Sequence, residues 1–272
     1  KIDFNVDDNK PIFSNPEKAF PESAIKRCEL RLLENVPIAF HVITTLWINK
    51  IGEKFDLLLS DKSYGNRIRR HKDNTPNLNA LGTFTPYLYN YKAWRDNGLK
   101  AIRSNLDQHK DVIAITGDFS AFYHNVNPEF IADEVFQQNI GIRLSEEEKE
   151  FTELIVYMLK TWAKNTPIGA GLPVGCAISA VIANMALFDF DRSIEQELIP
   201  AYYGRYVDDI IIVLENTNHF SSSDEVWLWL TQKITTLALE EESKNGKDRT
   251  VKRIVFSQMP ESQKEESYNK FF

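Results

Sequence analysis

Apolar residues recur along the chain at two spacings, one typical of helices and one typical of strands. Stretches with helical spacing predict helices over residues 34–60, 87–109, 145–164, 176–198 and 224–243. Runs of β-branched and other apolar residues predict short strands over residues 111–118, on both sides of Asp208–Asp209, and over residues 250–257. Because strands and helices alternate without a strict βαβ rhythm, the pattern favours an α+β fold with helices on one face of a small sheet.

The remaining stretches lack such periodicity. Residues 1–22 are polar and contain three prolines, which predicts an irregular arm. Residues 61–86 combine Gly, Asn and Pro with a cluster of basic residues, and they predict loop or short strands. Residues 258–272 favour no particular element. The chain has no internal repeat and no low-complexity tract, so its organisation follows from these elements alone.

Composition narrows the class of protein. A chain of 272 residues with 43% hydrophobic content can bury the core of one large domain or of two joined ones. Its net charge of −7 argues against nucleic-acid binding through bulk charge, but not against local basic patches. The two cysteines, Cys28 and Cys176, lack metal-site spacing and favour a reducing compartment. With no signal peptide and no apolar run of about 20 residues, we expect a soluble cytoplasmic protein, whose true N-terminus precedes Lys1.

Acidic residues interrupt two of the predicted strands. The stretch RYVDDIIIV (residues 205–213) places Asp208 and Asp209 between two strand runs, which predicts that the two acids form the tip of a tight hairpin. Asp118 ends another strand, in GDFSAFY. If the three carboxylates meet, they stay ionised together only around a cation. Oxygen ligands without Cys or His suit Mg²⁺ or Mn²⁺. Taken alone, Asp208–Asp209 is equally well explained as an ordinary acidic turn.

Three stretches together resemble a known enzyme family. GDFSAFY, GLPVGCAISAVIANMAL and RYVDDIIIV occur in the order of motifs A, B and C of reverse transcriptases, and the resemblance covers roughly residues 36–257. DKSYGNRIRR, further upstream, resembles the fingers segment of the bacterial enzymes. The resemblance implies the right-hand architecture of polymerases, with helical or loop fingers and a palm whose small antiparallel sheet is backed by helices.

The resemblance also divides the chain. It implies an N-terminal arm over residues 1–33, fingers interleaved with palm over 34–110, a palm over 111–257, and an unassigned end or thumb start over 258–272. No convincing thumb follows the palm. We therefore expect either that the protein continues beyond residue 272 or that a further domain, an RNA or an accessory protein clamps the product.

Site residues follow from the resemblance position by position. It implies that Asp118 and Asp208 bind two Mg²⁺ ions, with Asp209 as a third acid and the backbone carbonyl of Phe119 completing one ligand shell. Two such ions activate a 3′-hydroxyl and stabilise the leaving pyrophosphate. Tyr123, five residues after Asp118, falls at the steric gate against a 2′-hydroxyl and implies the use of deoxynucleotides. Packing in the core is the alternative role for Tyr123.

The glycine-rich stretch both matches and departs from the family pattern. Gly171 and Gly175 allow the backbone to approach a nucleotide closely. Many family members have Gln at the place of Val174, Ser-Pro at Cys176–Ala177 and Pro at Ala180. These differences resemble the divergent bacterial reverse transcriptases of the "unknown group" and abortive-infection lineages, which are associated with phage defence. Members of those lineages copy a dedicated non-coding RNA or extend DNA without a nucleic-acid template.

Basic residues supply the remaining candidates. Lys62, Arg69 and their neighbours form a cluster in which Arg67 and Arg70 are the predicted ligands of the β- and γ-phosphates, through paired guanidinium contacts. Lys252 is the predicted acid for the leaving pyrophosphate. A solvated charged face is the alternative explanation of the cluster.

The sequence therefore predicts an RNA-directed DNA polymerase that uses dNTPs and an RNA template to make DNA. Two alternatives stay open at this point. One is template-independent, protein-primed DNA synthesis on the same palm. The other is an inactive palm that binds RNA as a scaffold, against which the presence of all three acids argues.

Overall fold

The computed structural model describes residues 2–5, 27–30, 33, 35–234, 237–243 and 250–256. Its strands are β1 (Ile2–Asn5), β2 (Arg27–Leu30), β3 (Val112–Asp118), β4 (Tyr202–Tyr206), β5 (Asp209–Glu215), β6 (Leu237–Ser243) and β7 (Thr250–Phe256). Its α-helices are α1 (Ile38–Trp47), α2 (Glu53–Leu58), α3 (Tyr87–Asp107), α4 (Phe122–Asn125), α5 (Glu134–Asn139), α6 (Glu146–Lys164), α7 (Ala177–Ala186), α8 (Phe188–Ser193) and α9 (Ser223–Lys233). This content confirms the predicted α+β class.

A three-stranded antiparallel sheet, in the order β3-β5-β4, organises the described chain. Strand β5 is its centre and pairs with β3 from Val112 opposite Glu215 to Asp118 opposite Asp209. The run of isoleucine and valine in β5 suits a central strand, because branched side chains pack well on a pleated surface. Both predicted strands around the two aspartates are confirmed. The sheet thereby brings Asp118 next to the connection between β4 and β5.

Helices cover both faces of this sheet, so the prediction of helices on one face was wrong. On one face, Trp94 of α3 donates its indole N–H to the carbonyl of Gly204 at 3.0 Å. On the other face, Arg205 of β4 reaches Asp191 of α8. Alternate residues of a strand point to opposite faces, so Gly204 and Arg205 serve different helices. Residues 203–206 of β4 are all buried, so both faces of this strand are covered.

Residues 2–5 differ from the prediction of an irregular arm over residues 1–22, whose other residues lie outside the described part of the chain. Strands β1 and β2 pair antiparallel, with Ile2 opposite Leu30 and Phe4 opposite Cys28. The short sequence IDFN alternates apolar and polar residues, and in the register its apolar positions lie opposite the apolar positions of RCEL. Four residues are too few for that alternation to stand out before the partner strand is known.

The predicted helix over residues 224–243 was wrong in its second half. Helix α9 ends at Lys233, and residues 237–243 instead form β6, which pairs antiparallel with the predicted basic strand β7. Glu240 lies opposite Arg253 in this pairing. Pairing with a strand rich in β-branched residues overrides the helix propensity of Leu, Ala and Glu.

Other helix predictions agree with the structure. Ser145 and Glu148 form the predicted capping box, and α6 ends at Lys164. The predicted helix over 176–198 is divided into α7 and α8 at Leu187 and ends in a π-helical turn over Ile194–Leu198. Among the described residues, no helix combines the length and the apolar character needed to cross a membrane.

Candidate active site

The three aspartates converge at one end of the central sheet. Asp118 is the last residue of β3 and lies directly opposite Asp209, the first residue of β5. Tyr206 pairs with Asp209 from the other side, so the hairpin turn consists of Val207 and Asp208. The prediction that Asp208 and Asp209 together form the tip was therefore wrong by one residue. We call Val207 and Asp208 the acidic turn.

The backbone of the acidic turn is constrained. Val207 has φ of +61°, a region that β-branched residues rarely adopt. A positive φ at this place is typical of the tight turns that connect antiparallel strands. Two contacts hold Val207 there: Arg205 Nη1 donates to its carbonyl at 2.8 Å, and Gly65 packs against it so closely that a Cβ on Gly65 would lie 2.6 Å from Val207 Cγ2. The backbone N–H of Phe119 also donates to the carbonyl of Asp208 at 3.1 Å.

The charge of Asp118 acts on its neighbour Asp209. Partial burial and the nearby charge of Asp118 raise the pKa of the Asp209 carboxyl above its usual range. Within the described residues, no group of three or more His, Cys, Asp or Glu side chains is arranged to hold a metal ion. The donor chemistry nevertheless fits Mg²⁺, because Asp118 and Asp209 lie in register and Asp208 adjoins them, all with oxygen donors. A cation among them would favour the ionised form of Asp209.

Tyr123 lies beside the acidic turn. Burial is the main cause that raises the pKa of its hydroxyl to about 12, and the charge of Asp208 contributes in the same direction. A hydrogen bond from the Asn66 side chain opposes the shift. The ring of Tyr123 packs edge-on against Phe122 at a centroid distance of 5.9 Å. Tyr123 therefore touches the core with its ring and approaches the acids with its hydroxyl, so both roles considered for it are compatible with its position.

The glycine-rich loop, residues 166–175, packs against the chain around Tyr123. Leu172 donates its backbone N–H to the carbonyl of Tyr123 at 2.7 Å. Gly171 has φ of +86°, and a Cβ there would lie 2.6 Å from both Cα and the carbonyl oxygen of His124. Gly175 has φ of +102°. The close approach predicted for Gly171 thus involves the backbone of this chain, and its contact with a nucleotide stays a prediction.

Arg67 and Arg70 form ion pairs within the chain. Arg67 Nε lies 3.1 Å from Asp56 Oδ1, and its two other nitrogens donate to four backbone carbonyls. Arg70 lies 3.1 Å from Glu53 and 3.4 Å from Asp56, which is almost fully buried. Phosphate binding by either arginine would require it to exchange these partners. Their predicted role at the triphosphate stays a prediction.

The remaining predicted site residue, Lys252, lies on β7 opposite Glu241 in the strand register. Its side chain is outside the part that the structure describes. Its role as the acid for pyrophosphate therefore stays a prediction as well.

The sequence analysis missed a buried polar network next to the acidic turn. Arg205 is completely buried and pairs with Asp191 through two contacts, of 2.7 Å and 2.6 Å. Asn184 of α7 accepts from Arg205 and donates to the carbonyl of Gly65 at 2.9 Å. An arginine inside an otherwise apolar and aromatic strand was the available signal, because a buried charge needs a partner elsewhere in the chain.

Two comparisons with known proteins bear on the family to which the chain belongs. A search of curated proteins found no match. The sequence matches the family described as reverse transcriptase (RNA-dependent DNA polymerase) over residues 61–241. The matched range contains all three aspartates, Tyr123 and the glycine-rich loop, and it spans about two thirds of the chain. The chain therefore belongs to the reverse transcriptase family and is an RNA-directed DNA polymerase, a nucleotidyltransferase.

Proposed function

We propose that Asp118, Asp208 and Asp209 form the site at which this chain transfers a nucleotide from a dNTP to a 3′-hydroxyl. The observation that carries the proposal is the register of β3 with β5, which sets Asp118 opposite Asp209 with Asp208 in the adjoining turn. Two Mg²⁺ ions bound there, or Mn²⁺ in their place, would activate the hydroxyl and stabilise the departing pyrophosphate. The carboxylates themselves would hold and orient the metal ions, and the short turn keeps the carboxylates at one end of the sheet.

Tyr123 is proposed as the residue that selects deoxynucleotides. Its hydroxyl lies near Asp208, and its ring is supported by Phe122. The hydrogen bond from Leu172 to its carbonyl fixes its backbone against the glycine-rich loop. A ring held in this way beside the acids would leave little room for a 2′-hydroxyl. Gly171 and Gly175 are proposed to line the same nucleotide site.

The proposal extends to the template, which we propose to be a dedicated RNA. Val174 stands where many family members carry Gln, and its backbone forms a bridge with Leu33. A valine side chain cannot hydrogen-bond to a template nucleotide as an amide can. Together with the resemblance to the divergent bacterial lineages, this difference supports the copying of a dedicated non-coding RNA, in bacterial anti-phage defence.

Template-independent synthesis is the second candidate, and the same apolar Val174 favours it. Protein priming would need an accessible hydroxyl near the acids. Tyr87 and Tyr89 are both exposed, and Tyr87 packs edge-on against Tyr206 at 5.5 Å. These tyrosines are the positions to examine for attached DNA.

The experiment that tests the proposal measures nucleotide incorporation by the purified protein in Mg²⁺. Each dNTP is supplied alone and all four together, with and without nuclease treatment of the protein, and the product is sequenced. The proposal predicts a product that disappears after RNA removal and mirrors one RNA. A product of random or single-base sequence that survives RNA removal would contradict templated synthesis and establish the second candidate.

A further inference from the structure

Arg205, in β4 just before the acidic turn, is a charged side chain whose donors are all satisfied. It is 0% exposed. A guanidinium carries five N–H groups, and the structure gives all of them acceptors. The acceptors are Asp191 Oδ1 and Oδ2, Asn184 Oδ1 and carbonyl, Ser63 Oγ, and the carbonyl of Val207. Because burying a charge is costly unless it is paired, this set of partners is what allows an arginine to be buried here.

These acceptors come from four separate parts of the chain. Asp191 belongs to α8, Asn184 to α7, and Ser63 to the basic segment, residues 62–72. The fourth acceptor is the carbonyl of Val207 in the acidic turn, at 2.8 Å from Nη1. Arg205 is thus the place where the two helices behind the sheet, the basic segment and the acidic turn are joined.

The backbone strengthens the connection to the basic segment. The N–H of Arg205 donates to the carbonyl of Lys62 at 2.8 Å, and its own carbonyl accepts from the N–H of Tyr64 at 2.8 Å. Gly65 then packs directly against Val207. The basic segment is therefore fastened to the edge of β4, immediately before the acidic turn.

The hydrogen bond to the carbonyl of Val207 matters because Val207 has an unfavourable backbone conformation. Val207 holds a left-handed φ that a valine does not favour, and such strain persists only when its surroundings enforce it. The planar fork of Arg205, fixed by two contacts with Asp191, directs Nη1 to this carbonyl. Asp208 follows in the chain and shares the turn. A change in the Val207 peptide would move the Asp208 carboxylate.

We propose that Arg205, oriented by Asp191, is a positioning residue that fixes the acidic turn and so sets the metal-binding geometry of Asp208. This inference rests on the proposed function of the three aspartates. It assigns to Arg205 an effect on metal binding that is separate from its contribution to folding, and it makes that effect depend on the arginine fork rather than on positive charge alone.

The test compares Arg205→Lys with the wild-type chain in two measurements that need no template. Lysine keeps the charge near Asp191 but cannot supply the fork that reaches Asp191 and Val207 together. Mn²⁺ binding is measured by electron paramagnetic resonance. Amide hydrogen exchange is followed at Val207, Asp208 and Phe119. We expect Mn²⁺ affinity to fall by about 10- to 100-fold, as for residues that orient metal ligands, and exchange at these amides to accelerate.

Thr152→Val is the matched control. It removes another buried hydrogen bond, from Trp47 Nε1 to Thr152 Oγ1 at 3.0 Å, between α1 and α6, neither of which carries a predicted site residue. It should lower the melting temperature without weakening Mn²⁺ binding or loosening the turn. If Arg205→Lys and Thr152→Val behave alike in both measurements, the positioning role of Arg205 is wrong.

Two further variants separate the possible failures. If Asp208→Asn binds Mn²⁺ as tightly as the wild type, the proposed metal site itself is wrong, whatever Arg205 does. If Arg205→Lys does not fold, R205M combined with D191L removes both buried charges, which proteins tolerate far better than the loss of one. That double variant should fold and still show weakened Mn²⁺ binding, and unchanged binding would overturn the inference.

Discussion

The surroundings of Tyr123 suit the sugar-selecting role proposed for it. Its ring leans on Phe122, its carbonyl accepts from Leu172, and its hydroxyl lies close enough to Asp208 for that charge to raise its pKa. Each contact removes one freedom of the side chain. A residue fixed in this way can discriminate by shape, because it cannot turn aside to admit a larger sugar.

Replacement of the Tyr123 ring should relax sugar selection. Tyr123→Ala opens space beside the acids, and we expect discrimination against ribonucleotides to fall by about tenfold or more, equivalent to about 1.4 kcal/mol. The measurement is the ratio of kcat/KM for a dNTP to that for the matching rNTP. Tyr123→Phe keeps the ring and is the control, with discrimination close to that of the wild type. Equal ratios for Tyr123→Ala and the wild type would exclude the gate.

At the scale of elements, the glycine-rich loop illustrates two different demands for glycine. Gly169 and Gly171 both have a positive φ, of +67° and +86°. Around Gly169 a Cβ would meet nothing within 4 Å, whereas at Gly171 it would meet the backbone of His124. Gly169 is required only because its φ is positive. Gly171 is also required for close contact between the loop and α4.

The pair Gly169→Ala and Gly171→Ala separates these demands. A left-handed conformation costs a non-glycine residue about 1–2 kcal/mol, so Gly169→Ala should lower the free energy of unfolding by that amount. Gly171→Ala should cost about 1–3 kcal/mol more, because its methyl group clashes with backbone that cannot turn away. Urea denaturation of both variants measures the difference. Equal losses would mean that the loop does not rest on His124 as described.

Sequence patterns predicted elements well where the signal was local. The capping box at Ser145 and the helix ending at Lys164 needed nothing beyond neighbouring residues. The prediction failed at β6, whose LALEEES sequence favours a helix until it is paired with β7. It also missed the one-residue shift of the acidic turn, since a positive φ at Val207 depends on contacts from Gly65 and Arg205.

At the scale of the whole molecule, the candidate site is assembled from segments far apart in the chain. Gly65, Asp118, Asn184 and Arg205 meet around the acidic turn, although more than a hundred residues separate the first from the last. Family motifs predicted the three aspartates and the enzyme class, and the class is confirmed by family membership. Motifs did not predict the network of Arg205 and Asp191, because the partners of a buried charge are set by tertiary packing.

The tertiary structure also shows that two arginines of the basic segment form ion pairs within the chain. Its cluster of cations suggested phosphate binding, but Arg67 and Arg70 face Asp56 and Glu53 in the structure. A pattern of charge specifies neither which partner lies opposite nor how far it is. The acids that pair with these arginines lie in α2, between 11 and 17 residues earlier in the chain, and nothing in their local sequence marks them.

The most direct test of the account is Mg²⁺-dependent nucleotide incorporation by Asp208→Asn, compared with the wild-type chain. Asp107→Asn, an exposed aspartate at the end of α3, is the matched control, and circular dichroism checks that all three proteins are folded. We expect Asp208→Asn to lose incorporation by at least about 10²–10³-fold, as when a transition-state contact is removed, and Asp107→Asn to retain it. A folded Asp208→Asn protein with wild-type incorporation would contradict the assignment of the acidic turn to catalysis.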